Sequence, residues 1–344
     1  MALDATQRYL VEEFAELYRS GAMGRREMLR RVLFVTGSVA GAVAALRGLV
    51  DVQDAEAAAT ALRADAKVAA NVDPAEIRAA LAGEPGARTL PPLAVTNAPV
   101  VAEDDPEVVA MMVEFPGEAG AVFGYLARPA RSGRFPGIIV IHENRGVTDH
   151  FMDIARRFAK EGFVALAVDL VSRAGGTAAL MATDPMAISG ALGRGMTNDQ
   201  RAADMIAGVE YLKTLSFVDA AAGFGAIGYC LGGGLAFLLA GRDPDIRAAA
   251  PYYGTIEPSE LAGTRAAVLA FYGADDTRTT ATEPMSRAAV EGAGQVFESV
   301  IYPDTGHAFF NNTQPRNMGF GYVPLSAQDA WRRTLAWFMR YLSA

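Results

Sequence analysis

The stretch Phe224-Gly-Ala-Ile-Gly-Tyr-Cys-Leu-Gly-Gly-Gly-Leu-Ala-Phe-Leu-Leu-Ala240 is apolar throughout and turns at one cysteine. Cys230 stands between Gly228 and Gly232, two residues to either side. That spacing lets a strand turn sharply into a helix while the two backbones come close together, and it pushes the apical side chain outward. The first N–H groups of the helix that follows favour a thiolate and, later, an oxyanion. A lone cysteine ordinarily fills apolar space. Here the flanking glycines make Cys230 a candidate nucleophile for acyl chemistry, with G-x-C-x-G standing for G-x-S-x-G.

A nucleophile of this kind needs an acid and then a histidine later in the chain. Of the three histidines, His142, His150 and His307, only His307 follows Cys230. It lies in Ile301-Tyr-Pro-Asp-Thr-Gly-His-Ala-Phe309, a short β pattern running into a turn-rich loop, and is the candidate base. Between the two, Val268-Leu-Ala-Phe-Tyr-Gly-Ala-Asp-Asp-Thr-Arg278 is an apolar strand pattern ending in two aspartates. Asp275 or Asp276 would orient the imidazole.

These pieces together resemble the dienelactone hydrolase (carboxymethylenebutenolidase) family of α/β-hydrolases. The resemblance rests on Gly228-Tyr-Cys-Leu-Gly-Gly233, Gly273-Ala-Asp-Asp276, Gly306-His-Ala-Phe309 and His142-Glu-Asn-Arg-Gly146, and spans about residues 108 to 342. It implies Asp276 as the acid and Glu143 as a carboxylate that contacts the resting cysteine and is displaced by substrate. It further implies the backbone amides of Asn144 and Leu231 as the oxyanion hole and Arg173 as a substrate-carboxylate anchor. The family's second anchoring arginine, four residues after the histidine, is Asn311 here. Arg278 or Arg316 would have to compensate, or the pocket serves neutral esters and lactones. The expected reaction is a two-step acyl transfer on a small ester or lactone, with no metal or organic cofactor. A thioesterase or acyltransferase on the same triad, or a binding module with a silent site, are the competing functions.

The elements that must position these residues follow from periodicity. Alternating strand and helix patterns predict an α/β fold with a mostly parallel sheet and helices on both faces. Val108 to Phe115 and Val122 to Arg128 read as a hairpin, and Gly137 to His142 as a buried strand followed by a helix over 150–161. Val164 to Val168, Ala248 to Tyr253, Ala266 to Tyr272 and Gln295 to Tyr302 read as further strands. Helices are expected over Asn198 to Leu215 and Ser326 to Leu342, the latter turning Trp331, Leu335 and Phe338 inward. His142, ending a buried strand, is read as a satisfied core histidine; eight residues separate it from His150, which argues against the two as metal ligands beside Glu143.

The chain of 344 residues carries a net charge of −8, enough for one catalytic domain at 107–344 behind an N-terminal extension at 1–83 and a proline-rich linker at 84–106. An acidic balance without a basic, aromatic-interleaved patch gives no reason to expect nucleic acid. One cysteine excludes an internal disulfide. The first twenty residues read as an amphipathic helix, with Leu10, Phe14, Leu17 and Tyr18 on one side and Glu12, Glu13 and Glu16 on the other. Gly24-Arg-Arg-Glu-Met-Leu-Arg30, the uncharged run Val32 to Leu46 and the small residues near Ala57 resemble a twin-arginine export signal. Export to the periplasm is the expectation. The alternative is a cytoplasmic protein with retained helices that pack on the domain or pair two copies. The apolar run is short for a membrane span.

Overall fold

In the computed structural model the described residues are 5–19, 28, 32, 35, 99–184, 186–194, 196–317 and 319–342. The twin-arginine motif, most of the apolar run, the alanine-rich stretch from Val52 to Leu81 and the linker before Pro99 lie outside them. Among the described residues, no helix is long and apolar enough to cross a membrane.

One eight-stranded sheet organises the chain: β1 (Val108–Gly117), β2 (Gly120–Pro129), β3 (Gly137–Ile141), β4 (Val164–Val168), β5 (Phe224–Tyr229), β6 (Ile246–Tyr252), β7 (Ala267–Gly273) and β8 (Phe297–Tyr302), in spatial order β1-β2-β4-β3-β5-β6-β7-β8. The first two form the expected hairpin, and β2 runs antiparallel to β4. From β4 to β8 all neighbours are parallel. Every residue of β3, β4 and β5 is buried, as continuous apolar strands covered on both faces must be. Each Val or Ile side chain so buried is worth about 1.5–3 kcal/mol.

Helices α1 (Ala5–Arg19), α2 (Asp149–Lys160), α3 (Thr177–Thr183), α4 (Met186–Arg194), α5 (Asn198–Lys213), α6 (Leu231–Arg242), α7 (Thr277–Thr280), α8 (Glu283–Gly292) and α9 (Pro324–Tyr341) surround the sheet. Most boundaries fall within two or three residues of the expected ones; α3 and α4 fill a stretch to which periodicity gave no element. Helix α5 starts at a Thr197 cap closed reciprocally by Gln200. In α9, Trp331, Leu335 and Phe338 point into the core as expected.

Helix α1 departs from the two-sided reading. Gln7, Tyr9, Leu10, Val11, Glu13, Phe14, Ala15 and Leu17 are all buried, and its apolar residues belong to the same core as the sheet. The polar side carrying Glu13 is therefore covered as well as the apolar one. It packs against α4 and α6, the helix that begins after Cys230.

Candidate functional site

Parallel strands that end along one sheet edge bring the loops after them together, so residues far apart in sequence meet there. Glu143 lies two residues beyond β3, Cys230 directly after β5, Asp276 three beyond β7 and His307 five beyond β8.

Cys230 occupies the turn between β5 and α6 with φ 58° and ψ −121°, a left-handed backbone that side-chain-bearing residues adopt only under constraint. The constraint is visible at its neighbours. A Cβ on Gly228 would lie 1.8 Å from the Gly232 carbonyl oxygen, and one on Gly232 would lie 2.4 Å from that of Ile141. No L side chain fits at either position. The Cys230 amide donates to the Tyr252 carbonyl at 3.1 Å, tying the turn to β6.

The imidazole of His307 sits 2.6 Å from Asp276 through Nδ1 and Oδ2. Asp276 also accepts from the Thr279 hydroxyl and, through Oδ1, from the Thr279 amide at 3.3 Å, so the acid caps α7. Asp275 is exposed, and the side chain that reaches the histidine is Asp276. Burial opposes charge on both members, yet the carboxylates of Glu13 and Asp276 hold His307 well above the usual imidazole range. The imidazolium in turn holds Asp276 below the usual carboxylate range against its burial. The ring packs against Tyr253, with centroids 4.8 Å apart, and stacks on Phe320.

Glu143, Asn144 and Leu231 are each about 5% exposed. Glu143 accepts from Asn311 Nδ2 and Gln314 Nε2, both at 3.4 Å, and burial pushes its carboxyl upward. Asn311, standing where the second anchoring arginine was expected, thus holds the glutamate. Arg173 forms a two-point pair with Asp204, at 2.9 and 2.7 Å. Asp204 is 1% exposed at its side chain, so the guanidinium is committed to a buried partner on α5. Arg316 donates to the Asp304 carbonyl. His142 uses both ring nitrogens, Nδ1 at 2.6 Å from the Glu143 carbonyl and Nε2 accepting from the Leu170 amide at 3.1 Å, and is the satisfied core histidine foreseen for it. His150 is buried beside Phe151 and held down to about 3, first by burial and then by Arg157.

Helix α1 brings residues that sequence reasoning did not place at the site. The Tyr9 hydroxyl donates to Cys230 Sγ at 3.1 Å. Glu13 Oε2 lies 3.4 Å from His307 Nε2, an ion-pair distance without hydrogen-bond alignment. Arg278, two residues past the acid, reaches the same Glu13 oxygen at 2.9 Å and Glu16 at 3.3 Å, with its guanidinium 4.8 Å from the centre of the Tyr9 ring. The available signal was the spacing of Tyr9, Glu13 and Glu16 along one helical stripe. With α1 in place Cys230 is 2% exposed, and burial, then the Glu13 charge, pushes its thiol up to about 11. Donor atoms of Glu13, Cys230 and His307 lie within 4.8 Å of one another, a reach that one metal ion could span. Sγ and Nε2 are also the two atoms that acyl transfer must keep free.

A cavity of about 310 Å³ opens between α1 and the loop after β6, bordered by Tyr9, Leu231, Thr255, Ile256 and Arg278. A larger one, about 440 Å³, lies around His150, Asp153 and Asn312 and touches none of Cys230, Asp276 or His307. The smaller cavity adjoins the Cys230 turn through Leu231.

Comparison with known proteins places relatives around the chain. A Methylorubrum extorquens protein named "Putative carboxymethylenebutenolidase" is 33% identical over 70% of this chain and 84% of its own length. An Escherichia coli K12 protein of the same name is 31% identical over 73% of this chain and 93% of its own. A crystal structure from Klebsiella pneumoniae, assigned to the dienelactone hydrolases, superposes with a TM-score of 0.60 at 29% identity, covering 68% of this chain and 99% of that one. A dienelactone hydrolase-like promiscuous phosphotriesterase from metagenomic libraries shares the fold at 23% identity, with a TM-score of 0.57. The dienelactone hydrolase family model matches residues 122–342, and the chain belongs to that family of α/β-fold hydrolases.

Proposed function

We propose that the chain cleaves a lactone or carboxylic ester through an acyl-enzyme on Cys230. With the His307 imidazole neutral, Sγ attacks the carbonyl carbon as its proton passes to Nε2, and Asp276 fixes the imidazole tautomer through Nδ1. The backbone amides of Asn144 and Leu231 hold the oxyanion, a contribution of several kcal/mol for two such donors. His307 then returns the proton to the leaving alkoxide. Water, deprotonated by the same nitrogen, attacks the thioester and releases the acid and the free thiol. Glu143 is the carboxylate that substrate displaces. Its burial beside the site, on two weak amide contacts, suits a group that must move.

The observation carrying this reading is the strained cysteine turn facing a histidine whose far nitrogen is 2.6 Å from a buried aspartate. The test is hydrolysis of dienelactone, neutral lactones and p-nitrophenyl esters by wild type and Cys230→Ala. The variant should lose roughly 10³-fold or more in kcat/KM. Equal rates in the two proteins would remove Cys230 from the chemistry, and turnover of acyl thioesters alone would favour the thioesterase reading.

A further inference from the structure

Three donor atoms from distant parts of the chain meet beside the Cys230 turn. Glu13 Oε2, Cys230 Sγ and His307 Nε2 lie within 4.8 Å of one another, the first and last 3.4 Å apart. A tetrahedral ion with bonds of about 2.0–2.1 Å to nitrogen and oxygen holds such a pair about 3.3 Å apart, and sulfur, at about 2.3 Å, stands only slightly farther off. The widest separation therefore has to close by about an ångström. All three side chains are buried, and His307 Nε2 has no hydrogen-bond partner, so it is an unused ligand atom facing the other two. Each of the three is also held from behind. His307 presents Nδ1 to Asp276 at 2.6 Å, the carboxylate–imidazole arrangement that orients a metal-binding histidine. Arg278 Nη2 donates to Glu13 Oε2 at 2.9 Å, and the Tyr9 hydroxyl donates to Cys230 Sγ at 3.1 Å. Asp276 and Glu16, the latter 3.3 Å from Arg278, offset the charge of that guanidinium.

We propose that Glu13, Cys230 and His307 form an inhibitory zinc site that α1 completes. Thiolate, imidazole and carboxylate together suit zinc, whereas magnesium and calcium take oxygen ligands. The ion bonds Sγ, Nε2 and Oε2 and keeps a fourth position for water, while the protons carried by Sγ and Nε2 leave to solvent. Zinc thereby occupies nucleophile and base together and ties α1 across them. The coordination stands on the geometry alone; the loss of turnover rests on the Cys230 hydrolase reading.

Cobalt and zinc salts test the site in the full-length chain without relying on turnover. Cobalt(II) bound to a thiolate absorbs in the near ultraviolet by charge transfer, and Cys230 is the single cysteine. Wild type should show this band on binding cobalt, zinc should bleach it, and Cys230→Ala should lack it. Magnesium in excess should leave it unchanged. Glu13→Gln should weaken zinc binding, measured in competition with cobalt, by about 10–100-fold, a loss that even the outer partners of metal ligands cause. Glu16→Gln, which loosens α1 from Arg278 but removes no ligand, should bind zinc much as wild type does. Zinc inhibition of p-nitrophenyl ester hydrolysis should weaken in Glu13→Gln by the same factor as binding. Cobalt bound without a thiolate band, or not bound at all, would overturn the site. Equal zinc affinity in wild type and Glu13→Gln would remove α1 from it, and an equal loss in Glu16→Gln would make Glu13 a docking residue and no ligand. None of these outcomes bears on Cys230 as nucleophile, which the Cys230→Ala hydrolysis assay decides separately.

Discussion

Cys230 is approached from two sides that the chain builds in different ways. On one side His307 and Asp276 descend from the ends of β8 and β7, within five residues of a strand whose position the parallel ladder fixes. On the other, Tyr9 reaches the sulfur from 221 residues away, on a helix held by Leu10, Phe14 and Leu17 in the core. The first side is tied to sheet geometry and can hardly move without breaking it. The second is tied by side-chain packing, by the Tyr9 hydrogen bond and by the Arg278 ion pairs. The candidate triad therefore sits on the rigid edge, while the burial of Cys230 depends on an element held by side-chain contacts.

The sharpest way to separate the sides is to damage the rigid one alone. Asp276→Asn keeps the shape but lets the amide present its NH₂ group to Nδ1, so the imidazole loses its correct tautomer. Hydrolysis should fall roughly 10³-fold, while α1 stays docked through Arg278. Stability carries the same signature. His307 is held above the free imidazole value, so its contribution is full below about pH 6.5 and fades as pH rises toward the raised value. Asp276 is held below the free carboxyl value, so its contribution is full above about pH 4 and fades as pH falls toward the depressed one. Thermal melts across pH should show both slopes in wild type and a flatter curve in Asp276→Asn. Parallel curves would mean that the pair is not ionised in the folded protein.

The same division explains what could be read from residues alone. Gly228 and Gly232 announce the turn because no Cβ fits there, a requirement local enough to be written in five residues. The meeting of Asp276 and His307 follows because a parallel sheet delivers strand ends to one edge. Resemblance, rather than spacing, selected Asp276 over Asp275, and the 2.6 Å contact to His307 agrees with it. Tyr9 and Glu13 were not legible as site residues. A glutamate on the polar stripe of an amphipathic helix looks solvated, and only a buried partner cation such as Arg278, far along the chain, makes its burial tolerable. Arg173 shows the reverse case: its position matches an anchoring arginine, and its guanidinium pairs with Asp204, on α5, 2.7 Å away.

Arg173 sharpens the contrast. Arg173→Gln strands the buried Asp204 carboxylate, and the expected result is a loss of about 2 kcal/mol in stability, read from denaturant midpoints at unchanged m-value. The effect belongs to folding rather than to substrate binding. A rise in KM for dienelactone with an unaltered midpoint would instead place Arg173 against the substrate.

The smallest effect concerns the thiol itself, where both sides act on one atom. Burial is the main reason its pKa is pushed to about 11, the charge of Glu13 adds to it, and His307 works against both. Titration of the ultraviolet thiolate absorbance, taken as wild type minus Cys230→Ala, should show a midpoint near 11 in place of the roughly 8.5 of a free thiol. Between those values the unfolded chain has lost a proton that the folded one keeps, so stability falls as pH rises through that window. Glu13→Gln removes the charge but leaves most of the burial, and the midpoint should drop by about one unit or less. A drop all the way to the free-thiol value would mean that α1 leaves altogether when this one contact is cut, making the Glu13–Arg278 pair, rather than the apolar face of the helix, what keeps the site closed.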